Sequence, residues 1–543
     1  MSRIPNETSL IYCESGPRVS DAYPPLSEDR SAGDIADQLL IGNDPVAVGL
    51  LLQEMSRRFG NDPATLLEVM HERLAAWRQG DPAVASAMLR LVHNACLGAG
   101  RTFIRTIPVT MLANLLDALP IGLANSNLLL HLMAMAGTGD AIETLVDRLA
   151  ERPPSDPVEA AQVVSPLMQH DDWPLESFFP SALDLIASPT LAAPVLDLAN
   201  YLHRDRDVTP HPAVSRLQMM NHLLAEVTTR LQRFEMDPRS MGDSVSTVSQ
   251  RLAASVALAV STADAVGLIG DESSIPILEE TVTLKHRRVQ CEAAGALARF
   301  GEDAGTKRLI ELTADPAARL RAIAYADELG HSEAVDPKFR SGEATAESEM
   351  ALWLSGPTQM GVPPSSVETV HRQTLRWPGD ERPTEVFLVR YEYNFGPAAD
   401  GEGPTNYSNI GLAGPVTFSF SADVADMPVE DILAMYAGWH AEHPDIVSIP
   451  PDQWNTAHQR QMASFRDFLS REDLEDLQPK LLGLMLDEVA GVFEARRDGV
   501  RRLVVTDGLE TIERIIDGRP RPLAPEDVFN LFKGRKMLRT FNA

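Results

Sequence analysis

Thirteen residues recur three times between Leu258 and Gly330, and each copy closes on a glycine. The glycines are Gly270, Gly301 and Gly330, spaced 31 and 29 residues apart. Each copy carries small or apolar residues at its fifth and sixth positions: Thr262 and Ala263, Ala293 and Ala294, Ala322 and Ile323. Each has an apolar residue directly before the glycine: Ile269, Phe300 and Leu329. A period of this length describes units that cannot bury an apolar face alone and must stack on their neighbours.

The middle copy shows the physics. Val289, Ala293, Ala294, Leu297 and Phe300 fall at helical spacing and share one face. Alanine at the crowded positions lets helices approach closely, and glycine takes the left-handed conformation in which a helix stops. Further helical spacing at 275–284 and 306–312 makes each unit a helix, a turn and a helix. The run Val289-Gln290-Cys291-Glu292-Ala293-Ala294-Gly295-Ala296-Leu297-Ala298-Arg299-Phe300-Gly301 resembles the short HEAT-like repeat of the phycobilisome-lyase type. The resemblance implies an α-solenoid of helical hairpins.

The cap-and-proline pairs Asp44-Pro45, Asp62-Pro63, Asp81-Pro82, Asp156-Pro157 and Ser188-Pro189 predict helix starts before the repeats. Helices are expected at 46–59, 64–78, 83–97, 109–119, 126–136, 141–149, 157–168, 175–186 and 189–203. Two more are expected at 213–234 and 245–256. We therefore expect a mobile tail over 1–33, one HEAT-like array over 34–340 and a linker over 341–366, with a short docked segment near 352–354.

Residues 367–543 read as a smaller α+β domain, where aromatic residues are concentrated. Strands are expected at 367–377, 385–395 and 415–424, with helices at 429–440, 455–469 and 479–493. A hairpin then turns at Asp498-Gly499, and a helix at 526–532 precedes a final strand at 536–541. The runs Leu375-Arg376-Trp377-Pro378-Gly379, Tyr407-Ser408-Asn409-Ile410-Gly411-Leu412-Ala413-Gly414-Pro415 and Ala437-Gly438-Trp439-His440-Ala441-Glu442-His443 resemble a bacterial family that joins HEAT-like repeats to a mixed α and β tail. That resemblance implies the domain division and no activity.

The formal charge of -29 repels phosphate backbones, which disfavours a general nucleic-acid-binding role. Cys13, Cys96 and Cys291 are too scattered for a disulfide framework or a zinc site. The first residues lack a secretory pattern and no apolar run appears long enough to span a bilayer, so the expected location is cytoplasmic, without a membrane partner.

A glycine- and proline-rich stretch at 395–415 is expected to be a loop with Asn406, Tyr407 and Asn409 over a binding site, and Tyr393 and Trp439 nearby. His440, Glu442 and His443 do not match a zinc-helix signature, and Asp423, Asp426, Glu430 and Asp431 read as caps; neither a metal nor a cofactor is expected. Residues 391–459 contain no Lys or Arg, whereas 491–540 are rich in both. Either these segments neutralise each other or the acidic aromatic surface receives a basic partner. The leading expectation is a non-enzymatic scaffold or adaptor that binds a protein partner. The alternative is that the C-terminal α+β domain is an enzyme or small-ligand sensor docked on the array.

Overall fold

A computed structural model describes residues 30–42, 44–356, 358–397, 404–420, 422–441, 446–485, 488–519 and 521–543. The chain is mainly helical and ends in an antiparallel sheet region. It divides into two compact units, Met1–Ala213 and Val214–Ala543. The division falls inside the stretch expected to form one array. Of the expected tail, residues 1–29 lie outside the described residues, and Ser31 caps a helix, Ala32–Ile41.

In the first unit the acid–proline pairs act as expected. Asp44, Asp62, Asp81 and Asp156 accept the backbone N–H of Val46, Thr65, Ala83 and Val158 at 3.0, 3.1, 2.8 and 2.8 Å. These bonds satisfy donors that a helix start leaves without an intrahelical acceptor. The helix expected at 175–186 is instead two 3-10 segments, Leu175–Ser177 and Ser181–Ala187. Pro180 between them removes a donor and disfavours helical geometry at Phe179. Helices Pro82–Ala99 and Asn127–Ala136 bring His93 and His131 together, ring edge to ring face, with Nε2 of one 3.1 Å from Nδ1 of the other.

In the second unit the three glycines stop helices α1 (Val245–Ile269), α2 (Arg287–Arg299) and α3 (Arg319–Glu328), with φ of 75°, 81° and 79°. After α2, Gly301 N–H bonds to Ala298 O and Glu302 N–H to Leu297 O; after α3, Gly330 N–H bonds to Asp327 O and His331 N–H to Ala326 O. Both are Schellman closures, in which left-handed glycine returns two N–H groups to the last turn. Small residues set the packing distance. A methyl group on Gly267 would fall 2.7 Å from Ala296 Cβ, and one on Gly295 2.6 Å from the Tyr325 ring.

Helix α1 fuses two expected helices, and the expectation of no membrane-length apolar run is corrected by it. Its 25 residues are long and apolar enough to cross a membrane, and 56% of the most apolar window is buried inside the protein. Reading the segment as two short helices had hidden its length.

The expected linker contains helix α4 (Gly342–Leu354), capped by Ser341. It leads into strands β1 (Ser366–Arg376), β2 (Pro383–Pro397), β3 (Pro404–Ala413) and β4 (Phe418–Ser419), then helix α5 (Val429–His440). After β5 (Ile446–Ile449) the same order returns: helix α6 (Thr456–Leu469), strands β6 (Glu475–Met485), β7 (Glu488–Arg497), β8 (Val500–Thr506) and β9 (Thr511–Ile515), and helix α7 (Pro525–Phe541). The sheets run β1-β2-β3-β4 and β5-β6-β7-β8-β9, antiparallel throughout.

Alternating residues of β2 separate two cores. Phe387, Val389 and Tyr391 meet Met350 and Leu354 of α4, whereas Val386 and Leu388 join a central core with α5 and α7. In the second sheet, Phe493 and Val504 meet Met462 and Phe465 of α6, whereas Val492 and Val505 join that central core. The central helices touch through backbone. A methyl group on Gly438 would collide with Asn530 O, and one on Gly534 with Ala434 O. The two helices share a pattern: Glu430-Asp431-Ile432-Leu433-Ala434-Met435-Tyr436-Ala437-Gly438 aligns with Glu526-Asp527-Val528-Phe529-Asn530-Leu531-Phe532-Lys533-Gly534 in the two leading acids, four large apolar residues and the glycine, and differs at Ala434/Asn530 and Ala437/Lys533.

Three further expectations in this region are corrected. The stretch 479–493 is not helix but parts of β6 and β7, because strands covered on both faces lose the alternation that marks a half-exposed strand. Residues 536–541 continue α7 rather than forming a strand; Gly534 serves close helix approach, not termination. The third strand expected at 415–424 is reduced to β4, and β3 lies in the expected loop.

We expect Gly534→Ala to lower stability by more than about 3 kcal/mol in urea unfolding, because the new methyl meets main chain that cannot rotate away. Burial pushes His131 down to about 4, with His93 adding to the effect. His131 is therefore neutral in the fold but gains a proton when unfolded below its ordinary value near 6.5. Its contribution is intact above that value and is lost as pH falls from 6.5 towards 4. His131→Gln should flatten this part of the melting-temperature profile.

Candidate protein-binding surface

The repeated helices place a chain of charged side chains across their packed faces. Glu292 and Arg321 hold the fourth position of their copies, and Asp264 the seventh of the first. Arg321 donates to both Glu292 carboxylate oxygens, Nε at 2.9 Å and a terminal nitrogen at 3.1 Å. Tyr325 reaches both carboxylates through one hydroxyl, contacting Glu292 and lying 3.1 Å from Asp264. With one proton, that hydroxyl donates to only one carboxylate at a time. Arg321 lies 4.4 Å above the Tyr325 ring centre, whose own close neighbour is Gly295.

Burial opposes the charge on Arg321, but the charge and hydrogen bonds of Glu292 outweigh it, with Tyr325 and Asp264 assisting; the group is held above its ordinary value. Burial, then Glu292 and Asp264, push the Tyr325 phenol up, so it remains a donor. Burial and Glu292 likewise push the Cys291 thiol up, which removes the thiolate a nucleophile requires.

Beside this network a hollow of about 310 Å³ opens between α2, α3 and α4, lined by Arg288, Cys291, Glu292, Leu320, Arg321 and Leu352 among others. Leu352 is 41% exposed. Arg288 is exposed and has no ion pair among the described residues. An exposed cation beside an exposed leucine offers two kinds of contact to one ligand.

The residues singled out from sequence have different surroundings. Tyr393 is 3% exposed and donates to Val362 O at 2.9 Å. Tyr407 packs against Tyr391, and its hydroxyl accepts from Asn409 and Arg521, both at 3.1 Å. Asn409 is fully buried; its amide donates to Phe420 O and Ala422 O and accepts from Val424 N, fastening these three residues to β3. Asn406 is exposed, opposite Asn394 in the β2–β3 ladder. Trp439 belongs to a separate group, stacked 6.0 Å from Phe418 and 53% exposed. Of the expected loop, 395–397 belong to β2 and 404–413 to β3, while residues 398–403 lie outside the described residues.

His440 accepts from Trp377 Nε1 at 3.1 Å; Glu442 and His443 lie outside the described residues. Asp431 is corrected from cap to core: it is 1% exposed and held by Arg514 and Arg535. Asp426 pairs with Arg519 at 3.0 Å. The acidic and basic stretches therefore meet within the fold, and the one buried carboxylate among these acids, Asp431, receives the cations it needs.

No family model matches the chain, and no curated protein matches it. Among solved structures, one entitled "Lipid-protein interactions in lipovitellin" is similar at 14% identity and a TM-score of 0.28. The match covers 82% of this chain and 50% of that one, so this chain spans about half its length. A similarity of that size carries no argument about fold or function.

Arg321→Met leaves Glu292 buried without the cation that holds both its oxygens. It should lower stability by about 2–4 kcal/mol in denaturant unfolding. Wild-type stability in this variant would show that the network is not holding the repeats together.

Proposed function

We propose that this protein is a non-enzymatic adaptor that binds a protein partner through HEAT-like repeated helices in its helical array. The reading is carried by one observation: an exposed leucine and a cation without an ion pair among the described residues border one hollow, beside a buried network joining three successive repeats. A rigid face with such a recess suits an apolar side chain flanked by a carboxylate. The net charge of -29 favours protein over nucleic acid as partner and suits a cytoplasmic role. The alternative is that the C-terminal α+β domain is an enzyme or small-ligand sensor with its site near the stretch 395–415, where β3 spans Pro404–Ala413.

Arg288→Glu combined with Leu352→Ser changes exposed side chains and should leave the melting temperature within about 1 °C, because surface changes of this kind have small effects. Crosslinking in lysate should capture a polypeptide with the wild-type chain and lose it with the double variant. Equal capture by both would remove the hollow from the binding surface.

A further inference from the structure

The two halves of the sheet region repeat one order: a helix, four antiparallel strands and a helix. Their inner helices meet reciprocally. Gly438 faces Asn530 and Gly534, while Gly534 faces Ala434 and Gly438, so equivalent positions exchange roles as in a two-fold interface. The halves differ at one sheet edge. In the second half, β5 lies antiparallel along the outer edge of β6, pairing Ile446–Ile449 with Leu482–Met485. In the first half, β1 ends its sheet, with no strand on its outer edge among the described residues.

Counted back from the strand ends, Gln373–Arg376 correspond to Leu482–Met485. Beside these residues lies a groove of about 590 Å³, lined by Gln373, Thr374, Leu375, Leu433, Leu538 and Asn542 among others. Leu433 corresponds to Phe529, whose ring packs over Gly483 in the half where the fifth strand is seated. The groove therefore lies beside the end of β1 that corresponds to the end of β6 along which β5 is seated.

The backbone of this edge is competent to pair. The Asn542 side-chain amide imitates a peptide group against Arg376, accepting from its N–H at 2.7 Å and donating to its C=O at 3.2 Å. Since Arg376 thus faces outward, strand alternation turns the N–H and C=O groups of Thr374 and Arg372 to the same side. Towards the start of β1 a bulge intervenes between Thr369 and His371, and Glu347 of α4 accepts the Thr369 N–H at 3.2 Å. The edge left open runs from Arg372 to Leu375, four residues like β5.

We propose that the outer edge of β1, from Arg372 to Leu375, beside the Asn542 cap on Arg376, accepts an extended segment of a partner protein as an added antiparallel strand. Main-chain bonds supply the pairing, and an apolar side chain of the segment sits on Leu433 and Leu538. Arg376 is exposed and has no ion pair among the described residues, so an acidic residue suits the cross-strand position. The proposal rests on the adaptor reading only in taking the occupant to be a protein; it names a contact separate from the hollow beside Arg288.

A displayed library of random twelve-residue peptides, selected on the full chain, provides the probe. Thr374→Pro removes an outward N–H while leaving the β1–β2 ladder, a place where edge strands tolerate proline. Leu538→Glu charges the groove floor without touching the edge backbone. Selected peptides should have apolar residues at alternate positions, bind both variants at least about tenfold more weakly and slow hydrogen exchange at Arg372 and Thr374. They should bind the Arg288→Glu, Leu352→Ser protein as tightly as the wild type, which separates failure here from failure at the hollow. Selection of no peptide, or of peptides that bind all these proteins equally, overturns the proposal. So does concentration-dependent self-association abolished by Thr374→Pro, because the occupant would then be a second copy of this chain.

Discussion

The sheet region depends on two helices meeting where neither has a side chain. Gly438 and Gly534 bring the backbones of α5 and α7 into direct contact, and only that spacing lets both sheets close on one central core. The hydrophobic effect drives closure, but it has no direction; the glycines fix where the helices cross. The same device operates in the repeated helices, where Gly267 and Gly295 admit Ala296 and Tyr325. Asp431 then has a clear place. Buried beside the crossing, it binds one arginine from β9 and one from α7, tying the last strand and last helix of the second half to the first helix-forming segment of the core.

Local signals were legible in the sequence. Acid–proline pairs mark helix starts because the side chain and the ring act within three residues, and stop glycines mark helix ends because φ is a property of one residue. The helix 429–440 and the turn at Asp498-Gly499 were legible for the same reason. What failed was longer in range. Leu481, Leu482, Leu484 and Met485 read as helix because β6 is covered by α6 on one side and α7 on the other, leaving no polar face to reveal a period of two. The helix expected at 526–532 runs on through Gly534 to Phe541, because the neighbour that this glycine serves is Gly438, ninety-six positions earlier in the chain.

The site residues divide in the same way. Tyr407 and Asn409 lie in a stretch whose glycines suggested a loop, yet Asn409 spends its amide on three backbone groups of residues 420–424. A buried asparagine and a ligand-facing asparagine have the same sequence neighbourhood; only the fold separates them. The charge network was partly visible, because Glu292 and Arg321 occupy one position of the repeat on an otherwise apolar face. Tyr325 stands at the position that Ala296 holds in the second copy. It is the group that joins the two carboxylates.

The shared core also orders events during synthesis. A nascent chain that has delivered residues up to 440 possesses the first sheet and α5 but presents Leu433, Tyr436 and their neighbours to water, since α7 is drawn from residues 525–541. The first half must wait, partly open, for roughly a hundred further residues to leave the ribosome, several seconds at ordinary elongation rates. During that interval the apolar surface is available to a chaperone, and the uncovered side of β1 to any other extended chain.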